Sequence, residues 1–415
     1  MRVLIGAVGS HGDNLPFIGL AVELGRRGHE ARLYGNASFE PLARDAGVTF
    51  IATSSEQEAR SFLDDPRATD PREGIEMVAE GVTGRMESAY RAMAADVVPG
   101  HTGLVGSTFA FAPRLLAEAH GLPFAAVHLA PSVYRSEHLA PRISPLGHFE
   151  HWPRFFKRWL WRTADRRFLD PLFAVPLNEF RARLGLVPVT RVMHGWIHEG
   201  AVNIGAFPAW LAPRQPDWPA GLRLTGFPMY DGHPEQPLPQ ELEAFIAAGP
   251  PPIVFTAGTA NAASQAFYEA SALACRLLSC RGILVAQRRE QLPPSLPPGV
   301  VHAAYAPFGR LFPRAAAVVH HGGIGTLSQA FKAGVPQLIQ PMAYDQFDNA
   351  SRACRLGAAR ELRPRAYRAK RVAAVLDELT HSPHVRAACG RIAADMARDQ
   401  GLHGLCDAVL GAMAG

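Results

Sequence analysis

The sequence predicts an α/β protein of two Rossmann-like domains, each a doubly wound parallel sheet, facing each other across a cleft. Three observations predict it. The chain has 415 residues, 48% of them hydrophobic and 19% charged, enough to fill two cores. It opens with a strand, a glycine-rich turn, a helix and a second strand, the order of a βαβ unit. A similar series of short apolar strands starts again after a proline-rich stretch.

In chain order, Val3 to Val8 reads as a buried strand and Gly9-Ser10-His11-Gly12-Asp13 as the turn. The residues through Gly25 form a helix, with Phe17, Leu20, Ala21 and Leu24 at three- and four-residue steps, and Gly28-His29 closes it. The next strands are Ala31 to Tyr34, Thr49 to Ile51, Gly103 to Gly106 and Phe124 to Val127, with helical stretches between them that impose parallel pairing. Between Pro208 and Pro239 the prolines are too dense for a long helix or a central strand, so residues 216–240 read as a linker. Beyond it come Ile253 to Thr256, a helix from about Ser264, and the strands Gly282 to Val285, Val300 to His302, Ala317 to His320 and Gln337 to Ile339. The expected division is an N-terminal Rossmann-like domain over residues 1–215, the linker, a C-terminal Rossmann-like domain over 241–395, and a C-terminal helix over 396–415 packing back towards the first domain.

The net charge is +5, with arginines scattered among acids, so no nucleic-acid footprint is expected. Cys275, Cys280, Cys354, Cys389 and Cys406 are odd in number, with no CxxC pair and no histidine at ligand spacing. They are expected to be buried free thiols in a reducing compartment. No Asp-x-Asp metal motif is present, and neither metal nor cofactor is expected. Met1-Arg2 runs straight into the first strand, and no apolar run reaches the ~20 residues of a membrane span. The expected location is the cytoplasm, or the inner face of its membrane as a peripheral protein.

The segment that carries chemistry is His320-His321-Gly322-Gly323-Ile324-Gly325-Thr326, which leaves the strand Val318-Val319 and enters a helix running through Leu327 to Ala333. Glycines there let the backbone approach a ligand, and the free amides at the helix start attract an anion. Tight strand-to-helix packing also needs glycine. Gly334-Val335-Pro336 ends the helix, and the next strand delivers Gln340-Pro341-Met342-Ala343-Tyr344-Asp345-Gln346-Phe347-Asp348-Asn349. This pattern resembles the donor signature of the inverting, two-Rossmann (GT-B) glycosyltransferases that use UDP- or dTDP-sugars. The resemblance implies that His321, the backbone of Gly323 and Gly325, and Thr326 hold the donor diphosphate. It implies that Asp345 and Gln346 hold the sugar hydroxyls, that Gly258 and Thr259 touch the phosphates, and that Tyr305 and Ala306 mark where an aromatic ring stacks on the base. Plant members carry a ribose-binding Glu where this chain has Gln329 and a uracil-reading Gln where it has Phe308. A dTDP-sugar, lacking the ribose 2′-hydroxyl, fits that departure.

An inverting transfer needs a base opposite the diphosphate. Asp13 is the candidate, three residues before Pro16 where plant relatives carry a histidine; the alternative for it is a helix cap. His11 is an acceptor-side candidate. So is Trp159, within Trp152-Pro153-Arg154-Phe155-Phe156-Lys157-Arg158-Trp159-Leu160-Trp161-Arg162, a mixture of aromatics and cations that suits a greasy acceptor or an anionic membrane surface, or else an ordinary helix with its aromatic face buried.

Further segments narrow the resemblance: the first turn with Pro16 to Ala21, Phe207-Pro208-Ala209-Trp210, Asp217-Trp218-Pro219, Thr225-Gly226-Phe227-Pro228 and Asp345 to Ala350. Over nearly the whole sequence they are similar to the rhamnosyltransferase family of rhamnolipid biosynthesis. That implies transfer of L-rhamnose from dTDP-L-rhamnose to a 3-(3-hydroxyalkanoyloxy)alkanoic acid, giving mono-rhamnolipid, in functional association with the separate protein that synthesises the lipid acceptor. The competing readings are a UDP-sugar glucosyltransferase for sterols or other apolar secondary metabolites, and a Rossmann-type oxidoreductase. Against the last, the first turn lacks a full GxGxxG and sets Asp13 where a pyrophosphate would lie.

Overall fold

The computed structural model describes all residues except 64, 66, 68–72, 144–148, 200–201, 233–235, 259–263 and 415. The chain forms two compact units, one of Met1–Arg142, Leu146–Gly232 and Gln400–Gly415, the other of Ile143–Pro145 and His233–Asp399.

The first unit holds seven parallel strands: β1 (Arg2–Gly6), β2 (Glu30–Asn36), β3 (Thr49–Ser54), β4 (Thr102–Ser107), β5 (Phe124–His128), β6 (Val202–Gly205) and β7 (Arg223–Leu224). Their spatial order is β3-β2-β1-β4-β5-β6-β7. In register, Val3 stands opposite Ala31 on one side and Gly103 on the other. β1, β4 and β5 are apolar and almost wholly buried because helices cover both faces of a parallel sheet. The core on one face joins Leu4, Leu104, Leu115, Phe173 and Trp196.

β6 and β7 were not evident in the sequence. β6 carries a polar residue, Asn203, which is buried with its Nδ2 donating to the His198 carbonyl at 2.7 Å. β7 lies inside the stretch expected to be linker, and its Arg223 and Leu224 pair with Ile204 and Gly205. The linker expectation over 216–240 is therefore corrected: the stretch up to Gly232 packs within the first unit. Trp218 is buried there with its indole N–H on the Tyr134 carbonyl at 3.1 Å, and Tyr230 lies so close to Gly19 that a Cβ on that glycine would meet it at 2.7 Å. Proline density forbade a helix or a central strand without forbidding packed, irregular chain.

The last helix, Gly401–Met413, lies against the helix His11–Arg26. An Arg27–Asp407 ion pair joins the two.

The second unit holds β8 (Ile253–Thr256), β9 (Gly282–Val285), β10 (Val300–Ala303), β11 (Ala317–His320), β12 (Gln337–Ile339) and β13 (Ala359–Glu361), in the order β10-β9-β8-β11-β12-β13, again parallel. Val254, Ile283, Leu311, Phe312, Val318 and Ala330 form a core on one face. None of the five cysteines forms a disulfide among the described residues. Cys275, Cys389 and Cys406 are buried as expected, whereas Cys280 and Cys354 are only half-buried.

Candidate functional site

Each sheet reverses its winding at one place, between β1 and β4 in the first unit and between β8 and β11 in the second. Open α/β sheets take ligands beyond the carboxyl ends of the strands at that reversal. The sequence-predicted residues fall at both places: Gly258 follows β8, His321 follows β11, and Asp13 lies in the helix turn after β1.

In the second unit β11 ends in His320-His321-Gly322-Gly323, and the helix Ile324–Ala333 begins at once. Gly323 is its N-cap, with no side chain capping it. The first amides of the helix, those of Ile324, Gly325 and Thr326, have no acceptor within the helix, and the helix dipole adds partial positive charge at the same point. The His321 ring is held between two glycines. A Cβ on Gly258 would lie 2.8 Å from both ring nitrogens, and one on Gly323 would lie 2.5 Å from Nε2. No larger residue at either position leaves the ring where it is.

Burial pulls the His321 pKa down to about 4, so the imidazole is neutral at pH 7, and its buried Nδ1 has no hydrogen-bond partner among the described residues. A neutral imidazole beside free amides can donate to an anion, and a bound anion would draw a proton onto it.

His320 does different work. It is fully buried; its Nδ1 accepts from the Gly322 N–H at 3.1 Å, so Nε2 carries the proton and donates to Gln337 Oε1 at 2.9 Å. That pair fixes the turn, with Gly322 at φ 94°. From the other side, Asn349 Nδ2 donates to the Gly322 carbonyl at 3.0 Å and to Asp345 Oδ2 at 2.8 Å. One buried amide thus ties the glycine-rich turn to the Asp345 carboxylate, a link that no local sequence pattern signals.

Asp345 stands at the N-cap position of the helix Gln346–Arg355 without capping it through its side chain, and follows Tyr344, which sits at φ 55°, a left-handed conformation costly for a non-glycine residue. Gln346 is less free than expected: its Oε1 accepts from the Met342 N–H at 2.9 Å and the Ala343 N–H at 3.1 Å. Its amide NH₂ is what it offers a ligand. Thr326 and Gln329 are half-buried in the first two turns of the helix Ile324–Ala333.

Tyr305 is 51% exposed at the mouth of a mostly apolar groove walled by Pro237, Leu238, Pro239 and Pro307, while Ala306 is buried beneath. Phe308 stacks on Phe312 with ring centroids 4.4 Å apart, so it is part of the packing and not a reader of base edges. Thr259 lies outside the described residues.

In the first unit Ser10, not Asp13, is the N-cap of the helix His11–Arg26. The Asp13 carboxylate reaches back, and its Oδ2 accepts from the Ser10 N–H at 2.8 Å and the Ser10 Oγ–H at 2.9 Å. This is the reciprocal half of a capping box, which the spacing Ser10-x-x-Asp13 signals. The capping alternative is thus realised on one carboxylate oxygen. Burial raises the Asp13 pKa, against the pull of both Ser10 bonds. Asn14 Nδ2 holds the same turn through the Gly9 carbonyl at 2.9 Å and the Ser10 carbonyl at 3.0 Å. His11 packs edge-on against Phe39 with centroids 4.9 Å apart.

The neighbouring strand ends add polar groups that the sequence did not point to. Ser107 Oγ accepts from the Val8 N–H at 3.1 Å, and Thr108 Oγ1 bonds the buried His128 Nδ1 at 2.9 Å. Trp159 stands apart from these groups in sequence, 58% exposed on the helix Arg154–Ala164.

Comparison with known proteins agrees with the fold of two parallel-sheet units. The family described as "Erythromycin biosynthesis protein CIII-like, C-terminal domain" matches residues 282–401. The chain is 28% identical to O-mycaminosyltylonolide 6-deoxyallosyltransferase of Streptomyces fradiae over 98% of this chain and 96% of that one. It is 31% identical to glycosyltransferase GtfC of Amycolatopsis orientalis over 86% and 85%. Among solved structures, the glycotransferase of kitacinnamycin superposes with a TM-score of 0.74 at 19% identity, covering 99% of both chains. The spinosyn rhamnosyltransferase SpnG gives 0.69 at 19% identity over 99% and 100%, and the glycosyltransferase VinC in complex with dTDP gives 0.69 at 20% identity over 100% of both. With its two Rossmann-like units and its likeness to GtfC along most of both chains, this protein belongs to the GT-B glycosyltransferases.

Proposed function

We propose that the protein is an inverting rhamnosyltransferase, moving L-rhamnose from dTDP-L-rhamnose to the hydroxyl of an apolar acceptor. The acceptor that the sequence resemblance implies is a 3-(3-hydroxyalkanoyloxy)alkanoic acid. The observation that carries the reading is the clasp of His321, set between Gly258 and Gly323 beside an uncapped helix start. It suits a diphosphate.

In this reading the helix amides and His321 hold the diphosphate, Asp345 accepts from the sugar hydroxyls, the Gln346 NH₂ donates to them, and Tyr305 stacks on the base. Phe308, engaged with Phe312, leaves uracil without the amide that reads it in plant relatives, which supports thymidine. The free oxygen of Asp13 takes the acceptor's proton as its oxygen bonds the anomeric carbon. The bond to the phosphate oxygen breaks on the opposite face, and His321 and the helix amides take up the charge that develops there.

The relatives named for O-mycaminosyltylonolide and for spinosyn support a second reading, in which the acceptor is a secondary-metabolite hydroxyl and the donor a dTDP- or UDP-sugar. One assay separates the two. dTDP-L-rhamnose and UDP-glucose are offered together with a hydroxyalkanoyl lipid, a sterol and a macrolide aglycone, and the products are weighed by mass spectrometry. The expected product is the rhamnosylated lipid. A glucosylated sterol or macrolide as main product overturns the first reading.

A further inference from the structure

The helix Arg154–Ala164 is turned inside out. Phe155, Arg158, Trp159 and Arg162, at the spacing of one helix face, all point to solvent, with Phe155 72% and Trp159 58% exposed. The opposite face holds Lys157, only 2% exposed, beside the buried Trp161. The Lys157 Nζ donates to the Glu137 carbonyl at 3.1 Å and the Glu150 carbonyl at 2.8 Å. A helix that buries its lysine and exposes its phenylalanine and tryptophan has not been sorted by water alone.

The exposed rings also continue beyond the helix. Phe149, Trp152, Phe156 and Trp159 follow one another with centroids 4.7, 4.8 and 5.4 Å apart, and Trp152 is 41% exposed. Around them arginines outnumber acids, with Glu137 half-buried between Arg154 and Arg158 and Glu150 half-buried next to Phe149 in sequence. Arg154, Arg158, Arg162, Arg166 and Arg167 are exposed, whereas the acid among them, Asp165, is buried against Arg135 at 2.6 Å. Arg158 also forks onto Glu137 at 2.6 and 2.7 Å, which stiffens the helix without covering its outer face.

We propose that this face docks the protein on an anionic lipid surface, the aromatic rings entering the interface and the arginines meeting the headgroups. Aromatics interleaved with arginines on one outward face are what an interfacial helix presents, and with Arg154 and Arg158 sharing Glu137, the exposed Arg162, Arg166 and Arg167 favour a negatively charged partner. No helix of the described residues is long and apolar enough to cross a membrane, so the contact is peripheral. The inference stands on this helix alone and is independent of which sugar or acceptor is used.

The test is vesicle flotation of the full-length protein at physiological salt, with phosphatidylcholine vesicles carrying a minority of phosphatidylglycerol and with pure phosphatidylcholine vesicles. Wild type is expected to float with the first and not the second, with a blue shift of tryptophan emission. Phe155→Ser should lower partitioning roughly ten-fold, and Arg162→Gln about five-fold. Nucleotide-sugar binding should be unchanged in both variants. If Phe155→Ser loses that binding as well, its fold is damaged and Arg162→Gln decides. Failure of wild type to float with anionic vesicles overturns the proposal, as does flotation unaffected by both substitutions. Binding to heparin without binding to vesicles also overturns it, making the face one for an acidic macromolecule.

Discussion

Donor binding should tighten as the pH falls, and His321→Gln should abolish that dependence. In the free protein burial holds the His321 pKa at about 4, against an ordinary 6.5. A diphosphate against the ring supplies the opposite charge and raises the pKa of the complex. The complex then holds a proton that the free protein lacks, so affinity rises as the pH drops through the bound-state pKa and levels off near the free-state value. If the diphosphate restores the ordinary pKa, the gain between about pH 8 and about pH 5 is roughly thirty-fold, about 2 kcal/mol. His320 lies outside this window, its pKa pulled to about 3 by burial. Isothermal titration with a nucleotide diphosphosugar, whose diphosphate does not titrate in this range, reads the affinity. Two buffers of different ionisation enthalpy read the proton taken up, about one for wild type near pH 5 and none for His321→Gln. A flat wild-type profile, or the same slope in the variant, refutes the placement of His321 on the phosphates.

Three further outcomes are expected. Asp13→Asn keeps an oxygen to accept from Ser10, so its melting point should stay near wild type while turnover falls about a hundred- to ten-thousand-fold with donor affinity intact; wild-type turnover would remove Asp13 as the base. Gly258→Ala puts a Cβ against the His321 ring at a backbone φ of 80°, and should cost about 1–2 kcal/mol in a thermal melt while weakening donor binding about ten-fold or more. Unchanged donor affinity would mean that the ring's position is irrelevant. Asp348→Ala removes the 2.6 Å bond to Arg352, where both side chains are 2% exposed, and should cost about 3–5 kcal/mol in urea unfolding. A cost under about 1 kcal/mol would mean that the pair behaves as a surface one.

The central strands were legible because β1, β4, β8 and β11 are dry on both faces and so nearly pure apolar runs. Three short strands of mixed polarity were not: β6 buries Asn203, and β7 and β13 carry Arg223, Arg360 and Glu361. Pairing with a neighbouring strand, which no local pattern records, makes them strands. At the site, the glycine-rich turn could be read as a place where free amides would attract an anion, while His321 was singled out by the resemblance to the donor signature. The fit of Gly258 to the His321 ring could not, since the two meet only once β8 and β11 lie side by side. The capping role of Asp13 was present in the spacing from Ser10 and was outweighed by a catalytic reading of the same residue. The aromatic helix left its orientation open in the sequence, and only the burial of Lys157 and Trp161 shows that Phe155 and Trp159 are on the outside.

The return of Gly401–Met413 to the first unit sets an order of events during synthesis. Residues 233–399 are nearly all of the second unit and can fold as soon as they leave the ribosome, whereas the first unit must wait for its final helix. Until then the face of the helix His11–Arg26 that receives it stays bare, and Arg27 lacks Asp407. The half of the protein that is translated first is completed last, and for that interval its exposed apolar surface is open to aggregation.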